Sequence, residues 1–180
     1  MVSQLDLKLV KMQTTHYYQK RETSERITHR GKTYFDKYKR VDQAITANLM
    51  NEHFDGKVTI AHDLILPGEK VENIVFDFNG IDPQRFYHRA QLMLREDGFL
   101  NFTAYETATS GHLHLYIHKG HTTLLEGYNI AKTLSAKLAQ KTPMQWRMFP
   151  NPDLPPEFNI LVLPYNVYAK ERGTSWSKHM

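Results

Sequence analysis

The chain has 180 residues, 41% of them hydrophobic, with no cysteine and a formal net charge of +4. That length suits one domain with a sizeable core, and the lack of cysteine excludes disulfides and thiolate-held metals. No apolar run nears the ~20 residues of a membrane-spanning helix, and the first residues carry no secretory h-region, so the expected location is the cytoplasm with no membrane partner.

Residues 1–40 hold ten Lys/Arg against four Asp/Glu, and the remainder thirteen against fifteen. A basic first quarter suggests an anionic partner, nucleic acid above all, or a solvated basic surface. Leu5, Leu7 and Leu9 alternate with Asp6 and Lys8 and predict a first strand. Residues 13–33 are polar and basic and read as loop or loosely packed extension. From Lys32 to Arg40, aromatics interleave with cations. Lys32, Tyr34, Lys37, Lys39 and Arg40 could pair with phosphates and stack on bases. Alternatively the stretch is an amphipathic element with its aromatics buried and its lysines in water. Val41, Ala44, Ile45 and Leu49 predict a short helix ending near Asn51.

Asp55-Gly56 and Pro67-Gly68 mark turns on either side of a strand at Val58–Ile60. Asn73 to Gly80 predicts a buried strand with Val75, Asp77 and Asn79 on one face. Asp82 as N-cap and Pro83 at the first helical position open a helix carrying Phe86, Ala90, Met93 and Leu94 inward, ended by Gly98. Leu100, Phe102 and Ala104 predict a strand paired with the next one. That next strand, His112 to His118, alternates strictly. Leu113, Leu115 and Ile117 form a core face; His112, His114, Tyr116 and His118 form the other. Thr123 to Glu126 is a capping box opening a helix to about Lys141. Five prolines in 142–157 predict a long ordered loop around Trp146. Phe158 to Leu163 is a last strand, closed by Pro164, and the tail from Tyr165 is polar.

This order predicts α+β: a mostly antiparallel sheet with two helices packed on one face. The chain reads as a single domain, 1–180, with a basic extension at 1–56 packed on a core at 57–165 and a polar tail at 166–180.

Two motifs add a resemblance. Phe76-Asp77-Phe78-Asn79, then a helix and a strand, then Ser110-Gly111-His112-Leu113-His114-Leu115-Tyr116, resemble the archaeo-eukaryotic primase (prim-pol) superfamily, over roughly residues 72–165. In that family an Asp-x-Asp strand precedes a helix and a Ser-Gly-Gly-x-His-x-Tyr strand, with a third acid near the end. The resemblance implies an RRM-like sheet. It makes Asp77 and His114 catalytic candidates. It places Ser110, Gly111, His112, His114 and Tyr116 on a nucleotide or its triphosphate. It places Asp77, Asn79, Glu157 and Asn159 around Mg²⁺ or Mn²⁺. The chain departs from the pattern at Asn79 and Asn159, neutral where the family has acids, and at His112, where it has glycine. Two-metal phosphoryl transfer needs several carboxylates, so the resemblance implies a degenerate pocket that binds nucleic acid or nucleoside triphosphate with weak or no polymerase activity. The whole chain also resembles a small family from epsilonproteobacteria that brings no activity with it.

The same histidines admit other chemistry. His112-Leu113-His114 could hold a metal with Asp77, His118 or His121. A rolling-circle (HUH) endonuclease would add a nucleophilic Tyr165 or Tyr168 and Lys170 to that pair. A non-catalytic protein-interaction module would leave the histidines incidental.

Overall fold

The computed structural model describes residue 10 and residues 12–168. The strand expected at Leu5–Leu9 lies outside the described residues. The elements run β1 (Tyr17–His29), β2 (Lys32–Val41), α1 (Ala47–Phe54), β3 (Ile60–Asp63), β4 (Lys70–Phe78), α2 (Pro83–Glu96), β5 (Phe102–Glu106), β6 (Leu113–Thr123), α3 (Leu124–Ala139), β7 (Trp146–Phe149), β8 (Ile160–Val162) and β9 (Asn166–Val167). Among the described residues the fold is α+β, with three α-helices and two antiparallel sheets. The first sheet is ordered β2-β1-β3-β8 and the second β7-β4-β6-β5-β9. None of the described helices is long and apolar enough to cross a membrane.

The second sheet carries the expected architecture. From β4 to β7 the chain runs strand, helix, strand, strand, helix, strand, with spatial order β7-β4-β6-β5. This is the split β-α-β arrangement of RRM-like domains. Side-chain alternation divides its two faces. Ile74, Phe76 and Phe78 of β4 and Leu113, Leu115 and Ile117 of β6 pack under Phe86, Met93 and Leu94 of α2 and Ala131, Leu134 and Leu138 of α3. Val75, Tyr105, Tyr116 and Phe149 point the other way, onto Leu64 and Leu161 from the first sheet's side. The second sheet is therefore covered on both faces, which explains why β4 reads as an unbroken apolar run through Ile74-Val75-Phe76.

The helix starts are as the sequence requires. The Asp82 carboxylate accepts the Arg85 backbone N–H at 3.0 Å. The Thr123 hydroxyl accepts the Glu126 N–H, and the Glu126 carboxylate accepts the Thr123 N–H, each at 3.2 Å. Thr123→Ala removes half of this box and is expected to lower stability by about 1 kcal/mol. A urea midpoint shift at unchanged m-value would show it, and an unmoved midpoint would contradict it.

The structure corrects several expectations. Residues 17–29 are not loop: they form β1, thirteen residues long, hairpinned to β2 through Arg30-Gly31, both at positive φ. Polar alternation hid this strand, because one of its faces meets water along most of its length. The helix expected to end near Asn51 begins at Ala47, capped by the Thr46 hydroxyl on Leu49 N–H, and Val41 instead closes β2. The strand expected at Val58–Ile60 starts at Ile60. Leu100 lies outside β5 and is exposed, and His112 precedes β6 rather than joining it. The proline-rich stretch contains a strand, β7, paired to β4 from Trp146 to Phe149. The last expected strand is β8, and it belongs to the first sheet, not to the sheet of Asp77. Within the polar tail, Asn166–Val167 adds an edge strand and Tyr168 is buried edge-on to Tyr87.

Candidate functional site

One row crosses the second sheet. Arg147 of β7 stands opposite Asp77 of β4, Asp77 opposite His114 of β6, and His114 opposite Tyr105 of β5. Directly opposed residues share a face, so all four point toward the first sheet. Asp77 is 5% exposed and His114 7%. The Arg147 guanidinium donates to Asp77 Oδ2 through Nη2 at 2.6 Å, and His114 Nε2 lies 3.4 Å from Asp77 Oδ1. Burial pushes the Asp77 carboxyl up, but His114 and then Arg147 more than offset it and hold it below the ordinary carboxylate range. Asp77 is thus an anion clamped between two nitrogen donors.

A cavity of about 430 Å³ opens over this row. Asp77, His114 and Arg147 line its floor, Phe35 to Tyr38 of β2 one wall, and Glu157, Phe158 and Ile160 to Val162 another. Both edges of the first sheet wall the same cavity, so that sheet curls. The bend is at the register shift in β1 between Lys20 and Glu25, and Tyr34 of β2 meets Phe158 at 5.3 Å between ring centroids. Phe35 is 57% exposed at the rim, beside Lys37.

Behind the row, Tyr116 joins the two sheets. Its hydroxyl donates to His62 Nε2 of β3 at 2.8 Å, and His62 Nδ1 donates to the Asp63 carbonyl at 3.0 Å. Tyr116 is fully buried, and burial drives its phenol well above its ordinary pKa. It is therefore a neutral donor inside the sandwich and does not line the cavity.

The remaining site candidates fall elsewhere. Ser110, Gly111 and His112 form an exposed or half-exposed turn leading into β6, at the same sheet end as the Asp77 row but not in the cavity lining. Asn79 lies past the end of β4, is exposed, and donates its backbone N–H to the Gln145 carbonyl. Glu157 is exposed on a single 3-10 turn at the cavity wall. Asn159 is buried, accepting Asn151 N–H at 2.6 Å and donating to the Asn151 carbonyl at 2.9 Å, so it secures its own loop. Gly80 sits where any side chain would collide: a Cβ there would lie 2.6 Å from the Phe78 ring.

Asp77 and Glu157 line one cavity without Asn79 or Asn159, and among the described residues no three His, Asp or Glu side chains gather closely enough to hold a metal ion. The donor set does not fit an Mg²⁺ or Mn²⁺ pair. Its floor offers one carboxylate, Asp77, clamped by a guanidinium, and its walls add Asp36, bonded to Tyr38 N–H, and the exposed Glu157, where hard cations need several convergent free oxygens. The His-x-His alternatives are not assembled either. His118 bonds Asn73 and Thr103, His121 faces Glu72, and neither lines the cavity with His114. Tyr168 is buried against Tyr87, Tyr165 stacks on His53, and Lys170 is outside the described residues.

Lys32, Tyr34, Lys37, Lys39 and Arg40 all stand on β2. Tyr34 packs on Phe158 and Arg40 pairs with Asp42, while Lys32, Lys37 and Lys39 are exposed. A larger cavity of about 860 Å³ lies beyond the hairpin, but its Arg21, Arg30 and Arg40 are matched by Glu25, Asp153 and Asp42. In its wall Asp63 takes a bond from His16 and another from Tyr18, whose phenol is pushed up to about 12 by burial and by that carboxylate.

Sequence reasoning missed two members of this centre. Arg147 was hidden in a segment read as loop. Its signal was Trp146-Arg147-Met148-Phe149, a short aromatic-rich run between turn residues. His62 sat in Ile60 to Leu66, where nothing local set it apart.

Comparison with known proteins adds two likenesses. A family model described as "Domain of unknown function (DUF1882)" matches residues 2–73, which takes in the hairpin, α1, β3 and the start of β4 but none of Asp77, His114 or Arg147. Among solved structures, the chain is similar to the polymerase domain from Mycobacterium tuberculosis Ligase D in complex with DNA, at 15% sequence identity and a TM-score of 0.43, over 73% of this chain. The match spans 57% of that polymerase domain's chain. No curated protein matches.

Proposed function

We propose that this protein binds nucleic acid, laying a strand along the β1–β2 hairpin and seating a phosphate or nucleotide in the cavity between the sheets. The observation that carries this reading is the hairpin's unneutralised charge beside an exposed aromatic. Residues 17–41 hold eight Lys/Arg against three Asp/Glu. Arg21, Arg30 and Arg40 have acidic partners. Among the described residues Lys20, Arg26, Lys32, Lys37 and Lys39 form no ion pair, and all five are exposed. Phe35, Lys37 and Lys39 alternate onto one face, with Arg26 directly opposite Phe35. Cations that track a backbone around an aromatic ring that can stack a base are the parts of a single-strand groove. Of the three carboxylates lining the cavity, Asp77 is held by Arg147, Asp36 bonds Tyr38 N–H and faces Arg21, and Glu157 stands on an exposed turn. That is too little free oxygen for two-metal phosphoryl transfer, so the reading is of binding, with polymerase activity weak or absent.

Fluorescence anisotropy of a labelled single-stranded oligonucleotide between 50 and 200 mM salt tests it. Affinity should fall steeply with salt. Lys37→Ala with Lys39→Ala should weaken binding and flatten the log–log salt slope by roughly 1.4, about 0.7 for each phosphate left without its lysine. Phe35→Ala should weaken binding by roughly five-fold or more, the alanine-substitution cost of one stacked base, and leave the slope alone. No binding at 50 mM salt, or a slope indifferent to the two lysines, would end this reading.

A further inference from the structure

We propose that the cavity binds a phosphoryl oxyanion without any divalent metal, the Arg147 guanidinium supplying the positive charge that a metal would otherwise bring. The inference rests on the cavity being the phosphate seat described above and goes beyond it in naming how the charge is met. Asp77 cannot serve two cations at once. Its Oδ2 is held by Arg147 at 2.6 Å and its Oδ1 faces His114 at 3.4 Å. The other acids at the cavity are no substitute: Asp36 accepts Tyr38 N–H at 2.9 Å and faces Arg21, and Glu157 points from an exposed turn.

The nitrogen side of the site is the reverse of this. Arg147 is 68% exposed, and its bond to Asp77 uses one edge of the fork. The remaining N–H groups are open to a ligand, and a planar fork matches phosphate oxygens in pairs. The guanidinium carbon lies 5.5 Å from the Phe149 ring centroid, which limits where the fork can swing. His114 contributes a second polar position: with Nε2 donating to Asp77, Nδ1 of the neutral ring accepts, and so suits the P–OH of a monoprotonated phosphate. Its Nδ1 is buried, with no hydrogen-bond partner among the described residues, on a side chain that lines the cavity. Buried ring nitrogens are normally satisfied, so this one is an unmet polar atom beneath the cavity floor, which a ligand reaches only with a small turn of the ring. Lys37 adds an unpaired cation from the opposite wall. Asp77 is then a positioning residue: it aims Arg147 and His114, and it competes with the anion for the guanidinium.

That competition gives opposite signs to the two ways of binding phosphate. If a metal on Asp77 held the anion, Asp77→Asn would abolish binding. If Arg147 holds it, Asp77→Asn removes a rival charge and should tighten binding two- to ten-fold. The experiment is calorimetric titration of the full chain with inorganic phosphate in EDTA, then with Mn²⁺ in place of EDTA. We expect binding in EDTA that Mn²⁺ does not improve, a loss of ten-fold or more in Arg147→Gln, and partial recovery in Arg147→Lys. Far-ultraviolet circular dichroism confirms that each variant is folded. Binding that requires Mn²⁺ and disappears in Asp77→Asn would overturn the proposal, as would no phosphate binding under either condition. Oligonucleotide anisotropy keeps the two readings apart: salt-dependent oligonucleotide binding by a chain that binds no phosphate in the titration retains the hairpin interface while the cavity proposal falls.

Discussion

Acidification from pH 7.5 to 4.5 should destabilise this protein by roughly 2–3 kcal/mol through His62 alone. His62 is wholly buried, and burial lowers its pKa to about 4, the neighbouring Asp63 only partly offsetting that. The unfolded chain takes up the proton near pH 6.5 and the folded chain does not until near 4. Between those values the unfolded state binds more protons, so stability is complete above about pH 6.5 and drains away as the pH falls. The bonding makes the same point in structural terms. Nδ1 donates to the Asp63 carbonyl and Nε2 accepts from Tyr116, a pattern only the neutral ring can meet. His53 acts in the same direction, its pKa lowered by burial. Its Nδ1 accepts Ile60 N–H at 3.2 Å and its Nε2 donates to the Leu163 carbonyl at 3.0 Å. Asp77, held below the ordinary carboxylate range, loses its contribution only as the pH falls through that lowered value, outside this window. Urea denaturation at half-unit pH steps would read the effect. His62→Gln should remove about one proton's worth of slope, near 1.4 kcal/mol per pH unit where the slope is fullest. A stability flat across this range, or a slope unchanged in His62→Gln, would count against it. Against a typical domain stability of about 5–15 kcal/mol, the expected loss is large.

The parts of the fold that were legible from sequence are those fixed by local chemistry. Asp82-Pro83 and Thr123 to Glu126 announce helix starts because the orphan N–H groups there need those side chains. The alternation in Leu113 to Ile117 announces a strand because one of its faces must bury. Asp77 and His114 were paired by the resemblance of their two motifs to the prim-pol pattern; period two fixes only which face of its own strand each takes. What stayed hidden depends on partners distant in the chain. β1 looks like loop because Lys20, Glu22, Thr23, Ser24, Glu25 and Arg26 meet water, and only pairing with β2 and β3 makes the segment a strand. Asn159 sits in a plausible register for a third acid, yet β8 joins the first sheet and carries it to a loop-tying role. Arg147 was illegible because Pro143, Pro150 and Pro152 flank it, and turn signals outweighed a four-residue strand. The residue that decides the site's charge therefore lay in a strand whose short local signal the flanking prolines outweighed.

Phe76→Ala should be the most damaging single change near the site, lowering stability by about 3–5 kcal/mol while touching no ligand. Phe76 is fully buried in the middle of β4, on the face opposite Asp77. Its ring stacks on Trp146 at 6.2 Å, and Trp146 in turn meets Phe86 at 5.6 Å and donates its indole N–H to Ser135 Oγ at 2.9 Å. β7 is four residues long and pairs only with β4 among the described strands, so its position depends on what Trp146 packs against. Arg147 follows directly. Emptying the Phe76 site removes the support beneath Trp146 and lets β7 shift, so phosphate affinity should fall along with stability. In a Trp176→Phe background Trp146 is the sole tryptophan, and its emission should move to the red in Phe76→Ala. Phe35→Ala is the counterpart: the ring is exposed, so stability should change by no more than about 0.5 kcal/mol while oligonucleotide affinity drops. A fall in stability with phosphate affinity intact in Phe76→Ala would show that Arg147 is held by Asp77 alone. A cost under about 1 kcal/mol with unshifted emission would mean that the aromatic stack under β7 does not support that strand.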